Sequence, residues 1–451
     1  MKIVNFLFFW GLIALIINIF GAWSALLWVL CFFIVFFISK NKHNVQYSNV
    51  IIFSFLYLTL MGTLAMFSYK VFSNFTFSPY NDDSFYYLNI VNIIDGKIVS
   101  NATIYESFMA FIVYPLSLIK EIEHFDIVVF NWIIGALTIG ESLKFANRVF
   151  PDNTKYNDML GALLVLFNSN FIIGTVHLYR DVAMCYCFML SINYAMTGKT
   201  YKSVIFAVLT GFVRGANGIF ALLMIFVLRY VDVLRRFSKR ILILTFTFSL
   251  IFIISLDSYI GYSSYFRSFN STSDNQSLQD RIENRQEDFY ERYEGAGGVL
   301  AIMKSDNVAL KALVVPIYMF SPIKIGKFYV TENYSLENKP NKIITRFRIE
   351  WLWELISVIF TAMFAYFLFI GLYNMLKSKD NLHFLLAVIF LLMVTVVAFI
   401  SMQHRHKIMF LLLFPMLYNS YKFNSRFRAS KKVEYLFIVI SLFIVIFYNL
   451  V

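Results

Sequence analysis

The sequence predicts an all-α polytopic membrane protein, with about thirteen membrane-crossing helices, interfacial helices and one large outer loop region. Three observations carry this. The chain is 59% hydrophobic with a mean hydropathy of +0.67, where soluble domains are usually roughly half apolar. Apolar runs of roughly 16 to 20 residues recur from end to end, the length that crosses hydrocarbon. Short loops rich in Lys and Arg alternate with those runs and fall on one side, as the positive-inside rule requires. The net charge of +12 is therefore read as topology and not as nucleic-acid binding. Cys31, Cys185 and Cys187 all sit in apolar runs, which points to small core side chains and not to a disulfide framework or a metal site.

Residues 1–451 read as a single transmembrane domain. Lys2 precedes a first span, Ile3 to Phe20, and a second follows at Trp23 to Ile38. No small-residue cleavage site separates them, so the first run is a span and not a removed signal peptide. Lys40, Lys42 and His43 mark a cytoplasmic loop before span three, Val50 to Tyr69. Residues 73–126 then form a first outer loop, with two interfacial helices. Pro115 and the flanking charges argue against a full span there.

Span four is Ile127 to Phe145, span five Leu160 to Val176 and span six Val182 to Met196, with Lys199 and Lys202 inside. Ser203 to Val213 and Ile219 to Leu228 are short runs broken by Arg214-Gly215-Ala216-Asn217-Gly218. They read as two helices meeting near the outer face, with glycines permitting the turn. Span nine is Ile241 to Leu256, and residues 257–354 form the large outer loop region. Leu310 to Phe320 is too short to span at about 1.5 Å per residue, so it re-enters or lies flat. The remaining spans are Leu355 to Leu376, Phe384 to Ile400, Ile408 to Tyr418 and Tyr435 to Val451.

Charge at the edge of hydrocarbon is costly and rarely left without a task. Arg180 and Asp181 end the segment GTVHLYRD, and Arg214 sits in FVRG, all on the predicted outer face. Arginine binds phosphate in a bidentate way, and a departing pyrophosphate needs its charge neutralised. Arg180 could instead pair with Asp181 or snorkel to headgroups. Asp82 and Asp83 could act as a general base, help hold a divalent cation, or cap the helix that follows.

In QHRHK, His404 is a candidate proton carrier, and Arg405 and His406 are candidate substrate contacts. Two histidines two apart suit a metal poorly, and a solvated turn is the competing reading. In the large outer region RIENRQEDFYERYE reads as an exposed helix laced by ion pairs. Lys324, Arg346 and Arg348 could reach lipid phosphate there, with Trp351 and Trp353 as interface anchors. No Walker motif, HExxH or CxxC is present, which disfavours an ATP-driven pump or a zinc protease. No cofactor is called for, with a divalent cation left open.

The order NDDSFYYLNIVNIIDGK, an interfacial helix near Tyr105 to Ile119, RVFPDN, HLYRD, GKTYK, FVRG and HRHKIMFLLLFP resembles the GT-C superfamily of membrane glycosyltransferases. Within it the chain looks most like a bacterial O-antigen or capsule repeat-unit polymerase. The resemblance implies that one undecaprenyl-diphosphate-linked glycan is transferred to the terminal sugar of another. The reaction would take place on the periplasmic face of the cytoplasmic membrane. It implies that Arg180, Arg214 and Arg405 hold the pyrophosphate, and that Asp82, Asp83, Asp181 or a histidine takes the proton. Membrane lipids and a chain-length regulator are the other partners implied, with no nucleic acid. The alternatives are a transferase adding one sugar from a polyprenyl-monophosphate donor, and a flippase for the lipid-linked oligosaccharide. A flippase should carry charges at several depths; here they collect at one face, which favours an enzyme.

Overall fold

The computed structural model describes residues 2–41, 44–73, 82–99, 102–151, 155–230, 328–334, 342–400, 407–423 and 431–450, with isolated positions between 231 and 327. Predicted span nine, the ion-paired segment and Leu310 to Phe320 lie outside the described residues, as do Lys324, His404, Arg405 and His406.

The chain begins with α1 (Lys2–Phe20), α2 (Ala22–Lys40) and α3 (Ser48–Ser73). Two short helices follow, α4 (Asp82–Ile94) and α5 (Ile104–Ser117), where the sequence predicts interfacial helices. Then come α6 (His124–Val149), α7 (Lys155–Leu166), α8 (Ser169–Val176), α9 (Asp181–Met196), α10 (Thr200–Val213) and α11 (Gly215–Arg229). After an antiparallel hairpin of β1 (Tyr329–Tyr334) and β2 (Lys342–Phe347), the chain closes with α12 (Glu350–Lys377), α13 (Asn381–Ile400), α14 (Ile408–Leu411), α15 (Phe414–Phe423) and α16 (Lys431–Leu450). The hairpin, with Tyr329 opposite Phe347, departs from the all-α expectation. It is confined to the edge of the large outer loop region.

Four stretches are long and apolar enough to cross a membrane: Ala22–Lys40, Val45–Val71, His124–Val149 and Glu350–Lys377. The bent pair α7 and α8 makes a fifth if counted as one span. Seven further apolar segments, among them Phe6–Phe20 and Asn381–Val397, have 10–17 residues, so the described residues give four or five spans by length and composition and not the expected thirteen.

Two predicted spans are broken. Span five is two helices, α7 and α8, bent by 70°. The cause is local: Asn168-Ser169-Asn170 interrupts the apolar run, and short polar side chains compete for backbone groups. Asn168 caps α8 by accepting from Asn170 N–H at 3.0 Å, and the Ser169 N–H donates to Ser357 Oγ on α12 at 3.0 Å. Span twelve is likewise divided into α14 and α15. Pro415 stands in the first turn of α15, where its missing N–H costs nothing, and it disfavours helix through the preceding residue.

α6 is the central helix, packed on α3 and α9, with Trp132 and Phe125 fully buried. Polar side chains gather at its two ends. At the predicted inner end, Asn147 donates to Tyr47 and Asp158, Arg148 donates to Asn193, and Asn419 donates to Asn147. At the predicted outer end, α6 opens beside α3, α4, the α8–α9 junction and the start of α12. Both ends of α6 thus carry a polar cluster, with its apolar middle buried among the other helices.

Helix approach depends on small residues, since apolar area alone does not hold helices together in lipid. A Cβ at Gly371 on α12 would collide with the Leu417 carbonyl on α15. Gly371→Ala should therefore cost about 1–3 kcal/mol through overpacking and lower the melting temperature of the detergent-solubilised protein. Gly11→Ala, where no atom lies within 4 Å, should not lower it. Equal melting temperatures for the two variants would contradict the packing described.

Candidate functional site

Asp83, in the first turn of α4, is fully buried and joins three segments distant in sequence. Its Oδ1 lies 2.8 Å from His124 Nε2, at the start of α6, and accepts the Leu178 N–H at 2.7 Å. Its Oδ2 lies 3.0 Å from His177 Nδ1. His177 and Leu178 belong to the short link between α8 and α9, whose backbone must find partners outside a helix. Asn131 on α6 supplies the rest, donating to the carbonyls of His177 at 2.9 Å and Tyr179 at 3.3 Å. Tyr105 on α5 fixes Asn131 in turn by donating to its Oδ1 at 2.9 Å. One carboxylate and one carboxamide therefore hold the HLYR segment in place.

Burial alone would raise the Asp83 carboxyl pKa. His124 first and then His177 more than offset it, holding Asp83 below the usual carboxylate range, outside any of the spanning helices. Of the two imidazoles, His177 is the less completely buried. Its side chain is 7% exposed, against 1% for His124 and 0% for Asp83. The His177 ring also lies edge-on to Tyr69 at 6.3 Å between centroids. Tyr69, at the end of α3, donates to Glu350 Oε1 at 2.9 Å, which ties the start of α12 to the same corner.

Three residues beyond Leu178, Asp181 opens α9, buried and paired with Arg214 Nε at 2.9 Å. Arg214 is the single extended residue between α10 and α11, so the predicted turn is shorter than the glycines suggested. Gly218 serves packing instead: a Cβ there would stand 2.7 Å from Gly211 Cα. Arg180 precedes α9 and is half-buried. Arg180, Asp181 and Arg214 thus share one end of the bundle with Asp83 and His177. Lys407 is fully buried at the head of α14, beside α8 and α9, where Gly174 makes room for Ile408.

Several expectations are corrected. Asp83 is not an exposed base, because burial and its bonds to two histidines leave it an orienting group. The ion pair that Asp181 makes is with Arg214 and not with the adjacent Arg180, and its carboxylate is buried. Arg348 reaches Glu354 at 2.8 Å, an ion pair within its own neighbourhood. Trp353 is fully buried and anchors no interface. Asp82 opens α4, and Arg346 stands opposite Val330 in the hairpin. Among the described residues no group of three or more His, Cys, Asp or Glu is placed to hold a metal ion. Asp83 lies between its imidazoles as a shared acceptor.

His177, His124, Asn131, Tyr69 and Glu350 were not among the sequence candidates. The one signal for His124 was a histidine among acids, EIEHFD, directly before an apolar run. No match to this chain is found among family models, curated proteins or solved structures.

A carboxyl held below its unfolded value of about 3.9 contributes stability that is full above that pH and fades as pH falls toward the native value. The melting temperature of wild type should therefore exceed that of Asp83→Asn by a steady margin above pH about 5, and the gap should narrow progressively as pH falls below about 4 toward the native value. A gap that does not change with pH would contradict the ionised Asp83.

Proposed function

We propose that this protein is a membrane glycosyltransferase that polymerises undecaprenyl-diphosphate-linked oligosaccharide repeat units at its outer end, with His177 as general base. The observation that carries the reading is the Asp83–His177 pair beside the cations of the α8–α9 and α10–α11 junctions. With Nδ1–H donating to Asp83, a neutral His177 presents the lone pair of Nε2. That atom would take the proton of an acceptor hydroxyl as its oxygen attacks C1 of the donor sugar. The C1–O bond to diphosphate breaks as the new glycosidic bond forms. Arg180, with Arg214 held by Asp181, would stabilise the departing lipid diphosphate. What supports this is the sharing of one bundle end by a buried acid–histidine pair and guanidinium groups; of these, Asp83, Arg180 and Arg214 are residues to which the GT-C resemblance gives a role.

A second reading is favoured by a specific observation. Buried charge also occurs at the inner end, in the Lys144–Glu141 pair and in Asp158, and the α7–α8 helix is broken. Charge at two depths around a discontinuous helix is what a lipid-linked oligosaccharide flippase would need.

Purified protein in detergent, given synthetic diphosphate-lipid-linked repeat unit, should produce a ladder of products. His177→Ala should reduce the rate about 10²–10⁴-fold, Arg180→Ala should reduce it strongly, and Arg348→Ala should leave it near wild type. A full ladder from His177→Ala would remove the histidine from the mechanism. Addition of one sugar only, from a monophosphate donor, would establish the single-sugar transferase instead. No product in detergent, with movement of the same lipid across vesicles, would establish transport.

A further inference from the structure

The turn between α9 and α10, at the predicted inner end, gathers cations from three segments. Lys199 and Lys202 belong to the turn and the first turn of α10. Arg229, the last residue of α11, lies beside it: a Cβ at Gly198 would stand 3.5 Å from Arg229 Nη1. Arg148, in the last turn of α6, donates from Nη1 to both the backbone and side-chain oxygens of Asn193, each at 2.9 Å. Lys202 Nζ stands 5.7 Å from the Tyr194 ring centre and 5.8 Å from that of Tyr201. Residues 193–202 contain no acid. Glu141, the acid of this corner, is already taken by Lys144 and by Asn193. Among the described residues, Lys199, Lys202 and Arg229 enter no ion pair.

The surroundings favour an amphiphile over a soluble anion. Tyr201 and Tyr230 are exposed at the same level as the cations, and amphipathic rings mark the headgroup boundary. One turn deeper the exposed side chains become apolar. Ile205 follows Tyr201 at i+4 on α10, and Phe226 and Leu222 precede Tyr230 at i−4 and i−8 on α11. A charged rim, an aromatic level and an apolar strip succeed one another down two adjacent helices.

We infer that this turn is a binding site for an anionic phospholipid. Its phosphate is held by Lys199, Lys202 and Arg229, with its acyl chains against Ile205, Leu222 and Phe226. Arg148 forms the rim toward α6. A basic pocket between helix ends at a membrane surface is the chemistry that retains acidic headgroups. Because the cations come from α11 and the α9–α10 turn, with α6 at the rim, an occupied site ties these segments together. Binding therefore raises thermal stability. The site stands apart from the outer-end cluster and does not depend on any transfer activity.

The test uses the full-length protein in a neutral detergent. Native mass spectrometry and thermal unfolding are followed with dioleoylphosphatidylglycerol, dioleoylphosphatidylcholine or inorganic phosphate added. Phosphatidylglycerol should be retained and should raise the melting temperature; the zwitterionic lipid and phosphate should not. In Lys199→Gln/Lys202→Gln/Arg229→Gln, affinity for phosphatidylglycerol should fall about fivefold for each cation removed, with the lipid-free melting temperature near wild type. If that variant does not fold, Lys202→Gln alone should still show about a fivefold loss. Undiminished affinity in either variant overturns the site. So does an equal stabilisation by phosphatidylcholine or by phosphate alone, the latter marking a site for free anions.

Discussion

One buried carboxylate sets the geometry of the outer end. Asp83 is a charge removed from water, and such a group is tolerated only when its lone pairs are filled by donors of good geometry. Three donors fill them, from α6 and from both the side chain and the backbone of the α8–α9 link. Removing one partner of a buried charge typically costs about 3–5 kcal/mol. The position of α4 against the bundle, the path of the HLYR segment and the facing of His177 all follow from satisfying that one group. Asn131 and Tyr105 extend the same logic along α6 and α5, so no polar atom of the link's two carbonyls is left to lipid.

The sequence made the membrane class legible, because apolar runs and basic loops are local signals. Where the chain departs from that reading, the cause is chemistry finer than hydropathy. Asn168-Ser169-Asn170 divides an apolar run that averages as one span, and Pro415 divides another. The hairpin of β1 and β2 was hidden in a region whose charge drew attention instead.

The candidate site was half legible. Arg180, Asp181 and Arg214 stood out because charge among apolar residues is conspicuous, and Asp83 because it was half of an acidic pair. Their partners were not legible. His124 and His177 lie 41 and 94 residues from Asp83, and nothing in the local sequence encodes that they meet. The roles changed with the partners. A carboxylate next to a helix start reads as a cap or a base, while the same carboxylate buried between two imidazoles reads as their orienter. Likewise Asp181 reads as available until Arg214 is placed against it. Proximity in space, which a single sequence does not state, decides which titratable group faces the ligand.

The claim that matters most is that Asp83 dictates which nitrogen of His177 carries the proton. Nitrogen-15 NMR of histidine-labelled protein in detergent reads this directly, with the His177 signals identified by their loss in His177→Gln. At alkaline pH, where the ring is neutral, His177 should be found with its proton on Nδ1 and a bare Nε2, and that preference should disappear in Asp83→Asn. A proton on Nε2 in the wild type, or a spectrum unchanged by Asp83→Asn, would contradict the account.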